Sequence, residues 1–163
     1  MKKTIIFFVI LTATLGFMLY YAKPAANNDS AETPQVKGVL EADRNLHDFG
    51  TISMKDGNVK TAFKIKNPTT KDLALNRLYT SCMCTEATIK IGERVQGPFG
   101  MLGHGFTPTF SESLRASEEA EIEVEFDPNA HGPSGVGPIE RVVTLEGEGG
   151  KLIDLNIKAN VIP

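Results

Sequence analysis

The stretch that decides the fold is residues 120–127, Ala-Glu-Ile-Glu-Val-Glu-Phe-Asp, in which apolar and acidic residues alternate without interruption. Successive side chains of a β-strand point to opposite faces, so the apolar side chains share one face and the carboxylates share the other. Pro128 follows directly and ends the run. The stretch therefore predicts a strand with one buried face and one acidic face in water.

Alternation of the same kind recurs on both sides of this stretch. Residues 59–66 place Val59, Thr61, Phe63 and Ile65 on one face, and the last run places five apolar residues inward. Those five are Ile153, Leu155, Ile157, Ala159 and Val161. Shorter runs at 47–52, 73–82, 87–91 and 139–146 also read as strands. No stretch after Tyr21 has a helical period, and about seven short strands predict an all-β, immunoglobulin-like β-sandwich.

Three segments are predicted to lie outside regular strands. Residues 97–105, Gly-Pro-Phe-Gly-Met-Leu-Gly-His-Gly, hold four glycines and a proline, which predicts a loop. Residues 112–119 are interpreted as a polar connector, and Lys-Asp-Gly-Asn at 55–58 as a hairpin turn. The alternation slips near residues 76–77, which indicates a β-bulge in the fourth element.

Four short motifs follow one another along the chain. They are Asp-Phe-Gly-Thr-Ile at 48–52, Phe-Lys-Ile-Lys-Asn at 63–67, Ser-Cys-Met-Cys-Thr at 81–85 and Glu-Val-Glu-Phe-Asp-Pro at 123–128. In this order and spacing they resemble the DUF1573 family, a bacterial immunoglobulin-like module related to ASH/HYDIN and PapD-like sandwiches. The resemblance covers most of residues 40–161 and implies a sandwich fold and export. The family's name records an unknown function, so no activity is implied, and Met83 stands where the family usually has glycine.

The N-terminus predicts export. Met-Lys-Lys precedes residues 4–21, which contain no charged side chain, and this pattern is typical of a transmembrane anchor or signal helix over residues 1–23. No clean A-x-A cleavage site follows, which favours an uncleaved anchor, while a cleaved signal leaves a secreted protein. Residues 24–37 are small and polar and predict a flexible linker to a domain at 38–163. The expected location is the cell membrane, with a single pass and the C-terminal domain outside the cytoplasm.

The charge balance argues against nucleic acid and anionic lipid as partners. The chain of 163 residues has a net charge of -3. Residues 1–23 hold three of the 17 basic residues and none of the 20 acidic ones, so the remainder carries a net charge of -6. Such a domain is repelled by phosphate-rich surfaces.

Cys82 and Cys84 are the only cysteines of the chain. In an extended backbone both side chains leave the same face, and residues i and i+2 lie too far apart for easy bridging. Three alternatives remain open at this stage: the chain turns at Met83, the thiols are free, or they share a ligand. Because exported thiols tend to be oxidised, a pair of this kind needs a reason to persist.

A metal site is the first chemical hypothesis. Its candidate ligands are Cys82, Cys84, Met101, His104 and His131, of which the last three lie in glycine-rich segments. Thiolate, thioether and imidazole ligands suit copper, particularly Cu(I), whereas two cysteines and two histidines also suit tetrahedral zinc. The cofactor is thus left unassigned at this stage, and among metals the donor set favours one copper ion, with zinc as the less favoured alternative.

Two further hypotheses stand beside the metal site. A Cys-x-Cys pair that closes into a ring supports thiol–disulfide redox chemistry. A sandwich of this type also serves as a non-catalytic binding module that contacts protein partners through sheet edges and end loops. An enzyme is not expected, because the sequence has no G-x-S-x-G elbow, no H-E-x-x-H motif and no phosphate loop.

Overall fold

A computed structural model of the chain describes residues 38–103 and 110–163. The predicted membrane segment 1–23, the whole of the predicted linker 24–37 and His104 lie outside the described residues. The described strands are β1 (Glu41–Ala42), β2 (Leu46–Ser53), β3 (Val59–Lys66), β4 (Leu73–Thr80), β5 (Thr85–Ile91), β6 (Arg94–Phe99), β7 (Glu112–Leu114), β8 (Glu119–Phe126), β9 (Gly137–Gly147) and β10 (Gly150–Ile162). Within these two ranges, none of the helical segments has the length and apolar character needed to cross a membrane.

The strands form two sheets of five. The first sheet has the order β1-β3-β8-β5-β6 and the second has the order β2-β10-β9-β4-β7. All neighbouring strands are antiparallel except β10 and β2, which run parallel. The chain changes sheet between β4 and β5, and again between β8 and β9, and both crossings bear on the functional site.

One hydrophobic core joins the two sheets, as the alternating patterns predict. Phe63 and Ile122 from the first sheet and Leu145 and Leu155 from the second are fully buried members of one cluster. The inward residues predicted for β8 and β10 are buried, and the prediction for these two strands is confirmed. At about 25 cal/mol per Å² of apolar area removed from water, such burial is the main stabilising term of the fold.

The strand number is higher than the predicted seven, because three short strands lie in segments without alternation. These are β1, β6 and β7. Residues 97–99, predicted as loop, belong to β6, and residues 112–114, predicted as connector, belong to β7. Gly97 explains the first error: its φ is +123°, and an added Cβ would lie 2.9 Å from the carbonyl oxygen of Ala87. The β5–β6 register shifts at this point, so glycine here marks a bulge rather than the end of pairing.

The hairpin predicted at residues 55–58 is also wrong. β2 and β3 belong to different sheets, and a short 3₁₀ turn at Met54–Asp56 carries the chain between them. Ser53 caps this turn by accepting a hydrogen bond from the backbone N–H of Lys55. The bulge predicted near residues 76–77 is confirmed, because the β4–β9 register shifts between Leu75 and Arg77.

Gly147→Ala is expected to destabilise the protein by about 2 kcal/mol, because the added methyl group overpacks the β4–β9 contact. The new Cβ would lie 2.2 Å from the backbone carbonyl oxygen of Ala74, and a backbone atom cannot swing aside as a flexible side chain can. Gly149→Ala is the matched control, since its Cβ would meet no atom within 4 Å. Urea unfolding of both variants checks this; equal stabilities for the two would contradict the close approach.

Candidate metal and thiol site

The segment Cys82-Met83-Cys84 is a turn that connects the two sheets. It follows β4 of the second sheet and precedes β5 of the first. The backbone N–H of Thr85 donates to the carbonyl oxygen of Cys82 at 3.1 Å. The Thr80 hydroxyl donates to the same carbonyl oxygen and lies 2.9 Å from it. The chain therefore turns at Met83, whose side chain is 56% exposed, and this selects one of the three alternatives left open above.

The turn brings the two cysteines together. The Sγ atoms of Cys82 and Cys84 are in direct contact as a disulfide, and their Cα atoms lie 5.3 Å apart. That separation falls inside the usual range for a disulfide. The expectation that an i,i+2 spacing opposes pairing is wrong here, because the two residues belong to a turn and not to an extended strand.

The loop between β8 and β9 adds an imidazole to the sulfur pair. Its start is fixed beside the cysteines, because the backbone N–H of Asp127 donates to the carbonyl oxygen of Cys84 at 2.9 Å. Four residues later, Nε2 of His131 lies 3.2 Å from Sγ of Cys82. One ligand atom from each of Cys82, Cys84 and His131 lies within 4.8 Å of the other two. Three of the five predicted ligands are thus brought to one point.

Arg141 completes the cluster and was not among the predicted site residues. Its Nε–H donates to Sγ of Cys84 at 3.2 Å. The position follows from the β-ladder: Ser81 exchanges hydrogen bonds with Val142 through its backbone N–H and its hydroxyl, both at 2.9 Å, so β9 runs beside the cysteine turn. A signal existed in the sequence, because Arg141 occupies an inward position of β9 in line with buried Val143 and Leu145.

The two sulfurs lie in different environments. Cys84 is 3% exposed and joins the core cluster, where its sulfur also lies 3.7 Å from the Thr85 hydroxyl. Cys82 is only partly buried, and its neighbour His131 is exposed. One sulfur therefore faces the solvent side with an imidazole, and the other faces the interior with a guanidinium.

The other predicted ligands have different outcomes. Met101 forms a β-bridge with Thr80. Thr80 is the last residue of β4 and precedes Cys82 by two positions, so the backbone of Met101 lies close to the cysteine turn. His104 lies outside the described residues, and its role stays a prediction. His47 lies on β2, where its ring stacks edge-on against Phe49 at 4.5 Å. His47 was not a predicted ligand; burial, with a smaller contribution from the charge of Arg44, lowers its pKa.

Residues 40–99 match the family model described as "Protein of unknown function (DUF1573)". This part of the chain is similar to the DUF1573 family. The DUF1573 match includes both cysteines, whereas His131 and Arg141 lie C-terminal to the matched residues. The half of the cluster that holds the sulfurs therefore belongs to the family region, and its polar neighbours come from β9 and the loop before it.

A solved structure shares the fold of this domain. A protein of unknown function from Porphyromonas gingivalis W83 aligns with 82% of this chain and 51% of its own, at 18% identity and a TM-score of 0.53. The chain thus spans about half the length of that protein, and the similarity shows the fold alone. The ASH/PapD-like domain 7 of human CEP192 aligns with 77% of this chain and 87% of its own, at 14% identity and a TM-score of 0.44. No curated protein matches the sequence.

Proposed function

We propose that the DUF1573 domain is a non-catalytic module of the immunoglobulin-like class that binds one Cu(I) ion outside the cytoplasm. The ligands are the thiolates of Cys82 and Cys84 and the imidazole of His131. The observation that carries the proposal is the convergence of these three ligand atoms within 4.8 Å of one another. A metal ion with bonds of about 2.0–2.3 Å needs little rearrangement to bind all three once the sulfurs are reduced.

The donor set favours Cu(I) over other biological cations. Two thiolates and an imidazole are soft or borderline ligands, which Mg²⁺ and Ca²⁺ do not select. Structural zinc is almost always four-coordinate, and the described residues supply three ligands. Cu(I) accepts thiolate and thioether ligands, so Met101, whose backbone lies beside Thr80, is the natural candidate for an additional one.

Arg141 supports the same assignment. Its Nε–H donates to Sγ of Cys84, and a hydrogen bond to a ligand atom fixes its orientation and offsets its negative charge. Two thiolates and one Cu(I) carry a net charge of -1, which the guanidinium stabilises from the buried, Cys84 side of the site.

The location and partners proposed for the domain rest on the sequence. The charge-free run at residues 4–21 behind two lysines supports a membrane anchor, and the net charge of -6 beyond residue 23 argues against nucleic acid. The absence of hydrolase motifs supports a binding role rather than an enzymatic one. Protein partners at a sheet edge or at the end loops remain part of this proposal.

Anaerobic titration of the reduced full-length chain with Cu(I), in competition with the chelator bicinchoninate, tests the assignment. We expect one ion per chain and a dissociation constant well below about 1 µM. The same titration with Zn²⁺ is expected to give much weaker binding. No uptake of Cu(I) by fully reduced protein, or a preference for Zn²⁺, would overturn it.

A further inference from the structure

The two sulfurs of the Cys82–Cys84 pair differ in accessibility and in charge environment. Cys82 is the more accessible sulfur, next to exposed Met83 and His131, whereas Cys84 is buried against the core. Only Cys84 receives a hydrogen bond from a permanently charged group, the guanidinium of Arg141. Thiol–disulfide exchange depends on which sulfur is accessible to attack and on how well the other is stabilised as a leaving thiolate. The two requirements fall on different residues here.

Arg141 is suited to that role because no carboxylate of the described residues forms an ion pair with it. None of the ion pairs found among residues 38–103 and 110–163 includes Arg141. Its remaining contact is Nη1–H donating to the carbonyl oxygen of Glu140 at 2.8 Å, which holds the side chain in place without neutralising it. A thiolate at Cys84 would therefore be its nearest counter-charge.

We propose that Cys82–Cys84 is a reducible switch, in which a thiol reductant attacks Cys82 and Arg141 stabilises Cys84 as the leaving thiolate. In the first step the reductant thiolate forms a bond to Sγ of Cys82, and the bond between the two protein sulfurs breaks with its electron pair on Cys84. In the second step another thiolate of the reductant attacks the reductant sulfur of the mixed disulfide. Cys82 is released with the electron pair and takes a proton from water, and the reductant leaves as its own disulfide.

The effect of this switch on Cu(I) binding rests on the proposed function. A metal ligand must be a thiolate, so the oxidised pair cannot bind Cu(I) and the reduced pair can. Reduction then supplies two of the three ligands at once, and the metal site opens only when a thiol reductant has acted. The chemistry of the switch itself depends on the sulfur pair and Arg141, and not on the metal.

Mass spectrometry of the oxidised full-length chain tests the direction of attack. The protein is treated briefly with glutathione, and free thiols are alkylated under denaturing conditions. Trypsin releases residues 78–90, which hold both cysteines, and fragmentation between them separates the two labels. We expect glutathione on Cys82 and the alkyl group on Cys84. Glutathione predominantly on Cys84, or no reduction by glutathione under native conditions, would overturn the inference.

The role of Arg141 is tested by the rate of the same reaction. Arg141→Met is expected to slow glutathione attack on the native disulfide about tenfold or more, because a hydrogen bond to a charged group is lost at the leaving sulfur. Arg141→Lys keeps a positive charge and is expected to recover part of the rate. Arg77→Met is the matched control, since Arg77 pairs with Glu146 instead. An unchanged rate in Arg141→Met, with thermal unfolding like that of the parent, would contradict the assignment.

Copper binding separates this inference from the proposed function. Oxidised protein is mixed with Cu(I) before and after reduction, and the reductant is removed without air. Uptake only after reduction supports both claims. Reduction with the expected direction and Arg141 dependence, but without uptake, removes the copper site and leaves the switch. Equal uptake by the oxidised protein would overturn the gating.

Discussion

Serine at either cysteine position is expected to weaken Cu(I) binding by the reduced protein about 1,000-fold or more. Cys82→Ser and Cys84→Ser each replace a soft thiolate by a hydroxyl, which Cu(I) does not select. Loss of a supporting residue outside the ligand set already costs about 10–100-fold in metal affinity, so loss of one ligand of three costs more. Competition titration of each variant against bicinchoninate measures the change.

The other members of the cluster provide graded controls. His131→Ala leaves both thiolates in place, so we expect a loss smaller than in either serine variant but larger than about 100-fold. Met83→Leu keeps an apolar side chain at the exposed tip of the turn but removes its thioether, and it is expected to bind as the parent does. If Cys82→Ser bound Cu(I) as tightly as the parent, the site would not lie at the turn. If Met83→Leu lost affinity while His131→Ala did not, the ligand set would be wrong.

The largest expected loss of stability concerns Asn67, a fully buried polar residue at the end of β3. Its side chain ties the loop before β4 to the end of β7. Nδ2–H groups donate to the carbonyl oxygens of Lys71, Leu114 and Arg115 at 2.8, 3.0 and 3.0 Å. Oδ1 accepts from the backbone N–H and the hydroxyl of Thr69 at 3.0 and 2.7 Å. This amide therefore satisfies one buried carbonyl oxygen, that of Leu114, and several partly buried groups.

Asn67→Leu is expected to destabilise the protein by about 3 kcal/mol or more, because the buried carbonyl oxygen of Leu114 and the partly buried one of Arg115 lose this donor. Asn67→Asp is expected to cost at least as much at neutral pH, since it directs a carboxylate oxygen at those carbonyls. In the folded variant the aspartic acid pKa rises above its unfolded value of about 3.9. The deficit relative to the parent is then smallest below that value and grows as the pH rises through the folded pKa.

Urea unfolding at a series of pH values, always relative to the parent protein, measures both effects. Asn58→Ala is the control, because its Nδ2–H donates to the exposed carboxylate of Glu125 at 2.8 Å, and its loss is expected to change stability by less than about 0.5 kcal/mol. If the loss of stability in Asn67→Asp did not depend on pH, the three carbonyl oxygens would not surround this side chain as described.

The sandwich was predictable wherever burial on one face decides the structure. Phe63, Ile122 and Leu155 occupy strands whose alternation is strict, and all three are buried as predicted. Where the pattern is weak, pairing depends on partners far away in the chain. β6 contains glycine and proline and still pairs with β5, because Gly97 permits the close approach of a neighbouring backbone. β7 is held by its register with β4, which no local pattern in residues 112–119 reports.

The site was predictable in its sulfur and imidazole groups and not in its geometry. Spacing correctly singled out Cys82 and Cys84, but strand geometry gave the wrong distance because the sheet change at Met83 is a tertiary feature. His131 came from its residue type and its glycine-rich loop, and its approach to Cys82 depends on the hydrogen bond between Asp127 and Cys84. Arg141 was missed because an arginine in a strand is usually interpreted as exposed. It lies two residues before buried Val143, however, so both side chains leave the same, inward face of β9.

Copper K-edge X-ray absorption of the reduced, Cu(I)-loaded full-length chain tests the central claim most directly. The account predicts an inner shell of two sulfur atoms and one nitrogen atom from an imidazole, and loss of the imidazole scattering in His131→Ala. A shell of only nitrogen and oxygen, or a shell that His131→Ala leaves unchanged, would contradict the assignment of Cys82, Cys84 and His131 as one site.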